Sequence, residues 1–165
     1  MAVTVSLNDA EFAIANFMAK MRCSTNEANG VAEKMIIENG NSLVINKIGM
    51  CGEMAVAKFL DAYPDFTYQS RSGGFDINFR GFSIDVKTSP KHKEMMVPEF
   101  KIRQPHPDIY IKVFGDSDKN PFEITGWCYS HNLFLEENLC QKKCLTYSLP
   151  VNQLWDPNWL LRIKV

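Results

Sequence analysis

GGFDINFRGFSIDVKTS, residues 73–89, contains two short runs in which large apolar residues alternate with polar ones. Phe75, Ile77 and Phe79 fall on one side of the first run, and Phe82, Ile84 and Val86 on one side of the second, with Arg80-Gly81 as the turn. Side chains of an extended strand alternate between its faces, so the pattern predicts a β-hairpin with one buried face. Asp85 and Lys87 then share the opposite face of the second strand, and Asp76 points away from its apolar neighbours. Two acids and a lysine on one side of a hairpin whose other side is core make an odd device for stability alone. Neighbouring carboxylates repel unless positive charge lies between them, and a divalent cation is the usual answer.

Upstream of the hairpin, residues 45–62 predict a helix ended by Tyr63-Pro64. Glu53 lines up there with Val56, Ala57 and Leu60, on the face expected to pack inward. A buried carboxylate is expensive unless paired or metal-bound. Glu53 is therefore read either as the ion-pair partner of a nearby lysine or arginine or as a third acid beside the hairpin. Gly49 and Gly52 would let this helix lie close against a sheet. Residues 8–23 predict an earlier helix, opened by a capping box of Asn8 and Glu11 and carrying Phe12, Ala15, Met18 and Ala19 at helical spacing. Thr25 is expected to cap a second helix running to about residue 38, stopped by Asn39-Gly40. This pair of helices is read as a lid or packing layer, with a dimer contact as the alternative, and shows no chemistry.

Downstream, residues 90–107 lack clear periodicity and hold Lys91, His92, Lys93, Lys101, Arg103 and His106 against Glu94 and Glu99. The expectation is a basic, flexible loop that grips phosphate, or else a plain solvated loop. Thr88 and Ser89 would add hydroxyl contacts. DIYIKVF (108–114) and FEITGWCY (122–129) predict two further strands joined by the turn-rich stretch 115–121. A helix-like segment is expected from His131 and an edge strand over 145–149, with Leu154, Trp155, Trp159 and Leu160 packing the C-terminus down and the two tryptophans as core anchors rather than a base-stacking platform. Cys128, His131, Cys140 and Cys144 are spaced C-x2-H-x8-C-x3-C, a pattern open to zinc, with Cys140 and Cys144 on one helix face. Cys128 inside an apolar strand and Lys142-Lys143 at a helix end argue for an ordinary reading, so structural Zn2+ is not expected.

The chain has 165 residues, 45% hydrophobic and 22% charged, which suits one folded domain and argues against global disorder. No apolar run approaches the roughly 18 residues of a membrane span. No basic-then-apolar leader opens the sequence, and five cysteines at irregular spacing do not make a disulfide framework. The expected location is therefore a reducing cytoplasm. A net charge of −1 neither demands nor excludes a nucleic-acid partner.

A helical Glu53, Asp76 opening one strand and Asp85-Val86-Lys87 on the next resemble the PD-(D/E)XK nuclease superfamily, in particular its phage-type members. Phe75 stands where the literal motif has proline, a position with no part in the chemistry. The likeness spans about residues 45–129 and implies an α/β domain with a restriction-endonuclease-like central mixed β-sheet, of about four or five strands, flanked by helices. Residues 1–44 would be a two-helix extension, and 130–165 a C-terminal helix, edge strand and tail. The resemblance also implies Mg2+-dependent hydrolysis of nucleic-acid phosphodiesters, with Mn2+ able to substitute, by a structure-dependent or weakly specific endonuclease acting on DNA rather than RNA. Asp76, Asp85, the backbone carbonyl of Val86 and Glu53 would hold the metal, and Lys87 would orient or help deprotonate the attacking water. Lys91, Lys93, Lys101, Arg103, Thr88 and Ser89 would grip the nucleic acid. Junction-type cleavage needs two sites and hence a homodimer. The alternatives are a non-catalytic nucleic-acid- or protein-binding module on the same fold, and an exposed salt-bridged hairpin face.

Overall fold

A computed structural model describes residues 1–28, 42–67, 75–102 and 105–163. In chain order the elements are β1 (Val3–Val5), α1 (Asp9–Ala28), α2 (Ser42–Leu60), β2 (Ile77–Phe79), β3 (Phe82–Ser89), β4 (Met95–Pro98), β5 (Ile109–Asp116), β6 (Lys119–Tyr129), α3 (Ser130–Leu133), β7 (Leu139–Gln141), β8 (Leu145–Leu149) and α4 (Pro157–Leu160). Five strands form a main sheet in the order β1-β6-β5-β3-β2, and three form a smaller sheet in the order β4-β8-β7. Only the β3–β5 pairing is parallel among the described strands, so the main sheet is mixed and the class is α/β.

Local chemistry accounts for the main elements. The Asn8 side chain accepts the Glu11 N–H at 2.9 Å, while the Glu11 carboxylate accepts the Asn8 N–H at 2.7 Å, which is the expected capping box at the start of α1. At the β2–β3 turn, Arg80 and Gly81 both have positive φ, 51° and 82°, and Phe79 faces Phe82 across it. Two consecutive left-handed residues give a tight turn whose twist matches that of the flanking strands. Helix α2 stops one turn earlier than Pro64 requires, because Asp61 turns left-handed (φ 52°) and the Ala62 N–H reaches back to the Ala57 carbonyl at 2.9 Å.

The molecule has three layers. Ala15, Met18 and Ala19 of α1 and Met50, Val56 and Leu60 of α2 share one hydrophobic cluster with Ile84, Val86, Ile109, Ile111 and Val113 of the main sheet. Gly52 makes that approach possible. A Cβ there would sit 2.8 Å from Thr88 Cβ and 2.9 Å from Thr88 Cγ2, with the hydroxyl nearer still. Gly49 has open space around it and plays no such part. The second layer contact lies on the other face, where Tyr110 and Cys128 of the main sheet meet Met95, Val97 and Leu149 of the small sheet. No helix among the described residues is long and apolar enough to cross a membrane.

Several expectations change. Thr25 lies inside α1 rather than capping a new helix, and the rest of that expected helix falls outside the described residues. The stretch 90–107 is not simply a loop, since Met95 and Val97 bury alternate side chains in β4. Strand β8 is the centre of the small sheet, not an edge, because β4 and β7 arrive on either side of it. The helix from His131 ends at Leu133, and Cys140 lies on strand β7. The 115–121 link shrinks to a tight turn at Ser117-Asp118. Of the expected tail anchors Leu160 is buried as expected, whereas Trp159 is 59% exposed and Trp155, itself partly exposed, rests edge-on against Trp127 with centroids 4.6 Å apart.

Candidate active site

The edge of β3 is where the candidate residues gather. Strand β2 pairs only with Phe82–Ile84 and ends at Ile77, so beyond Ile84 the β2 side of β3 has no described strand alongside it. Asp76 fills the next position: its Oδ2 accepts the Val86 N–H at 2.7 Å, replacing the ladder bond. The N–H and C=O of one strand residue point to the same side. The Val86 carbonyl therefore faces this same edge. Burial alternates as expected along β3, with Ile84 and Val86 buried and Asp85 and Lys87 on the opposite face. The Lys87 ammonium lies against Asp85 Oδ1 and 5.5 Å from the centre of the Tyr110 ring.

Glu53 reaches the site from the helix layer. It is 5% exposed, and its Oε1 accepts from Arg22 Nη1 at 2.8 Å. The other oxygen, Oε2, is buried and has no hydrogen-bond partner. Burial raises the pKa of the Glu53 carboxyl above the ordinary carboxylate range, an effect that Arg22 opposes and the Asp85 charge reinforces. Asp76 is pushed well up as well, by burial first and then by the charges of Glu53 and Asp85. Glu53, Asp76, Asp85 and Lys87 thus act on one another electrostatically although they come from three segments of the chain. Burial works against the Arg22 charge, yet Glu53, Asp76 and Asp65 together raise its pKa.

Two basic residues of this neighbourhood escaped the sequence reading. Arg22 belongs to the helix that carried no visible chemistry, and its second nitrogen donates to the Asp65 carbonyl at 3.0 Å. Lys112 sits in DIYIKVF, where it reads as one polar residue in an apolar strand. It is 2% exposed and directly opposite Lys87 in the parallel β3–β5 register, so both project from the same sheet face. Burial lowers its pKa to about 8, with Glu94 opposing and Lys87 adding to the effect. Next to it, Thr125 is an extra residue bulged out of β6, and its hydroxyl donates to the carbonyls of Lys112 and Lys93 at 3.3 Å. Period-two alternation would have placed Lys112 on the face of Lys87, but only the parallel pairing puts the two side by side.

The expected nucleic-acid contacts are dispersed. Lys91 and Lys93 are exposed, and Lys93 pairs with Glu123 at 2.8 Å. Lys101 lies in the 3-10 turn after β4, on the small sheet. Thr88 is turned under α2 against Gly52, away from the Asp85 face, because it shares the strand side of Ile84 and Val86. Ser89 accepts the N–H groups of Lys91 and His92 and so caps the following turn. Arg103 lies outside the described residues. Of the cysteine pattern, Cys140 and Cys144 both turn to Thr146, while Cys128 is buried with its thiol pushed up to about 12.

Carboxylate and carbonyl oxygens are the donors that Mg2+ and Mn2+ take. Glu53 Oε2, buried without a partner, and Asp76, whose charge its surroundings disfavour, fit such an ion. Among the described residues no three acid, histidine or cysteine side chains already enclose a metal position. One oxygen of Asp85 is turned to Lys87 and one of Asp76 to the Val86 N–H. Comparison of the chain with protein families, curated proteins and solved structures finds no match.

Proposed function

We propose that this protein is a metal-dependent nuclease of the PD-(D/E)XK type, with a restriction-endonuclease-like core, that hydrolyses phosphodiester bonds in DNA. The observation that carries the reading is the meeting of Glu53, Asp76, Asp85 and Lys87 at the edge of β3 that no described strand covers, with one Glu53 oxygen buried and unpartnered. Asp76, Asp85, Glu53 and the Val86 carbonyl would hold Mg2+ or Mn2+. The ion would supply Lewis-acid stabilisation of a phosphate and an acidified water. Lys87 has two tasks that follow from its position. Once released from Asp85 it presents an ammonium on the acids' own side, where it orients the attacking water by hydrogen bonding and offsets the charge gathering on the phosphate oxygens. Lys112, one strand away, adds positive charge behind it.

A second reading draws on the Asp85–Lys87 contact and the Val86 N–H on Asp76, which give each of those acids a partner within the chain. On it the chain binds nucleic acid or protein without cutting. The deciding experiment incubates linear duplex, closed circular duplex, single-stranded and branched DNA, and RNA with the protein in Mg2+, Mn2+ or EDTA. Asp85→Ala and Lys87→Ala run in parallel. The expected result is metal-dependent cutting of DNA, closed circles included, lost in both variants by about 100-fold or more. No cutting by the wild type, with nucleic-acid binding equal in all three proteins, leaves the binding module.

A further inference from the structure

We propose that Arg22 is a positioning residue of this site: it holds one oxygen of Glu53 so that the other is presented to a divalent cation, and it thereby makes helix α1 part of the active site. The inference rests on the nuclease reading of Glu53, Asp76 and Asp85.

The bonding pattern is what separates Arg22 from an ordinary ion pair. A guanidinium that serves a carboxylate for stability alone can engage both oxygens through parallel N–H bonds. Arg22 does not. Nη1 donates to Glu53 Oε1 at 2.8 Å, and Nη2 goes instead to the Asp65 carbonyl at 3.0 Å. Asp65 in turn donates its N–H to the Asp76 carbonyl at 2.7 Å, and the Asp76 carboxylate accepts from Val86 on β3. One planar group therefore ties the acid of α2 to the segment that carries the acid before β2. The arrangement leaves Glu53 Oε2 buried without a partner, a deficit that a stability-driven pair has no reason to keep. It is the pattern of an outer residue that orients a metal ligand by holding the atom the metal does not take.

The test measures Mn2+ binding by calorimetry on the full chain without nucleic acid, so it does not depend on turnover. The proteins are wild type, Arg22→Met, Arg22→Lys, Glu53→Gln, and each Arg22 variant combined with Glu53→Gln. Arg22→Met is expected to weaken Mn2+ binding by about 10-fold or more. Arg22→Lys is expected to weaken it too, since a single ammonium lacks the planar fork that spans the Glu53 carboxylate and the Asp65 carbonyl. On the Glu53→Gln background either Arg22 change should alter affinity by no more than about twofold, because the residue acts through Glu53. Folded Arg22 variants that bind Mn2+ like the wild type overturn the proposal. An equal loss with and without Glu53 overturns it as well, by showing a general effect on the fold. Should circular dichroism show Arg22→Met unfolded, the Arg22→Lys pair of titrations decides. A wild type that binds no Mn2+ removes the nuclease reading and this proposal together, whereas loss confined to the Arg22 arm tests Arg22 alone.

Discussion

Lys112 shows how much a single side chain can cost. An unfolded lysine keeps its proton to about pH 10.4. In the folded protein burial brings this one down to about 8. Between those values the unfolded chain binds more protons, so this residue makes stability rise as pH rises from 8 toward 10. Below pH 8 the buried charge is a standing penalty on the order of 3 kcal/mol. Lys112→Met, close in volume, is therefore expected to raise the thermal midpoint at pH 7 and to remove the alkaline gain. Melting curves from pH 7 to 10 check this. Cleavage should fall in the same variant if the positive charge behind Lys87 matters. Burial that costs stability is the kind of trade that active sites retain, and here it falls directly across the sheet from Lys87. The sequence shows Lys112 as polar in an apolar run, but a residue-by-residue reading has no measure of what lies across the sheet from it.

At the level of elements, the contact of α2 with β3 sets the position of Glu53. Gly52 immediately precedes it, and the missing Cβ is what lets the helix backbone rest on Thr88. Gly52→Ala should push the helix away or distort β3, with a loss of about 1–3 kcal/mol that outweighs the better helix propensity of alanine. Denaturant titration measures it, and a neutral or stabilising result would show that the two elements can slide apart freely. Thr88→Ala in the same chain is expected to recover part of the loss, because the hydroxyl and methyl are removed while the Cβ contact at 2.8 Å stays. The hairpin itself was legible in advance. Arg80-Gly81 and the alternation on either side specify turn and faces locally. Strand β4 was not, since two buried residues, Met95 and Val97, are too short a signal and their partner strand lies about fifty residues onward.

For the molecule as a whole, the site's acids couple folding to pH, and a cation bound by them would couple it to metal as well. Glu53 and Asp76 both hold their protons to higher pH in the folded state than in the unfolded one. Their contribution is complete below the unfolded carboxylate range and is lost as pH rises through the raised folded values. Glu11 and Asp156, lowered by their partners, work in the opposite sense, but their window lies below the ordinary carboxylate range. Without metal, these two acids should therefore add stability as pH falls through their raised folded values toward the ordinary carboxylate range. Saturating Mn2+ is expected to flatten or reverse that trend, because a bound cation favours the ionised acids and stabilises the state that binds it. Thermal midpoints at pH 5 and pH 7, with EDTA and with Mn2+, provide the comparison. A pH trend unchanged by Mn2+ would count against metal binding at these acids.

By itself the sequence determined the capping box at Asn8, the helix that carries Glu53, the hairpin with its buried and polar faces, and the β5 and β6 strands. All of these rest on periods and turn chemistry that act within a few residues. The tertiary structure decided what no local period contains. It sets the small sheet against the Tyr110 and Cys128 face and makes β8 central. It ends β2 at Ile77 so that Asp76 takes over the bond to Val86, and it brings Arg22 and Lys112 to acids and a lysine far away in sequence. Pairings of that kind depend on which surfaces meet once the layers close. Only then does burial assign a charge its cost and its partner.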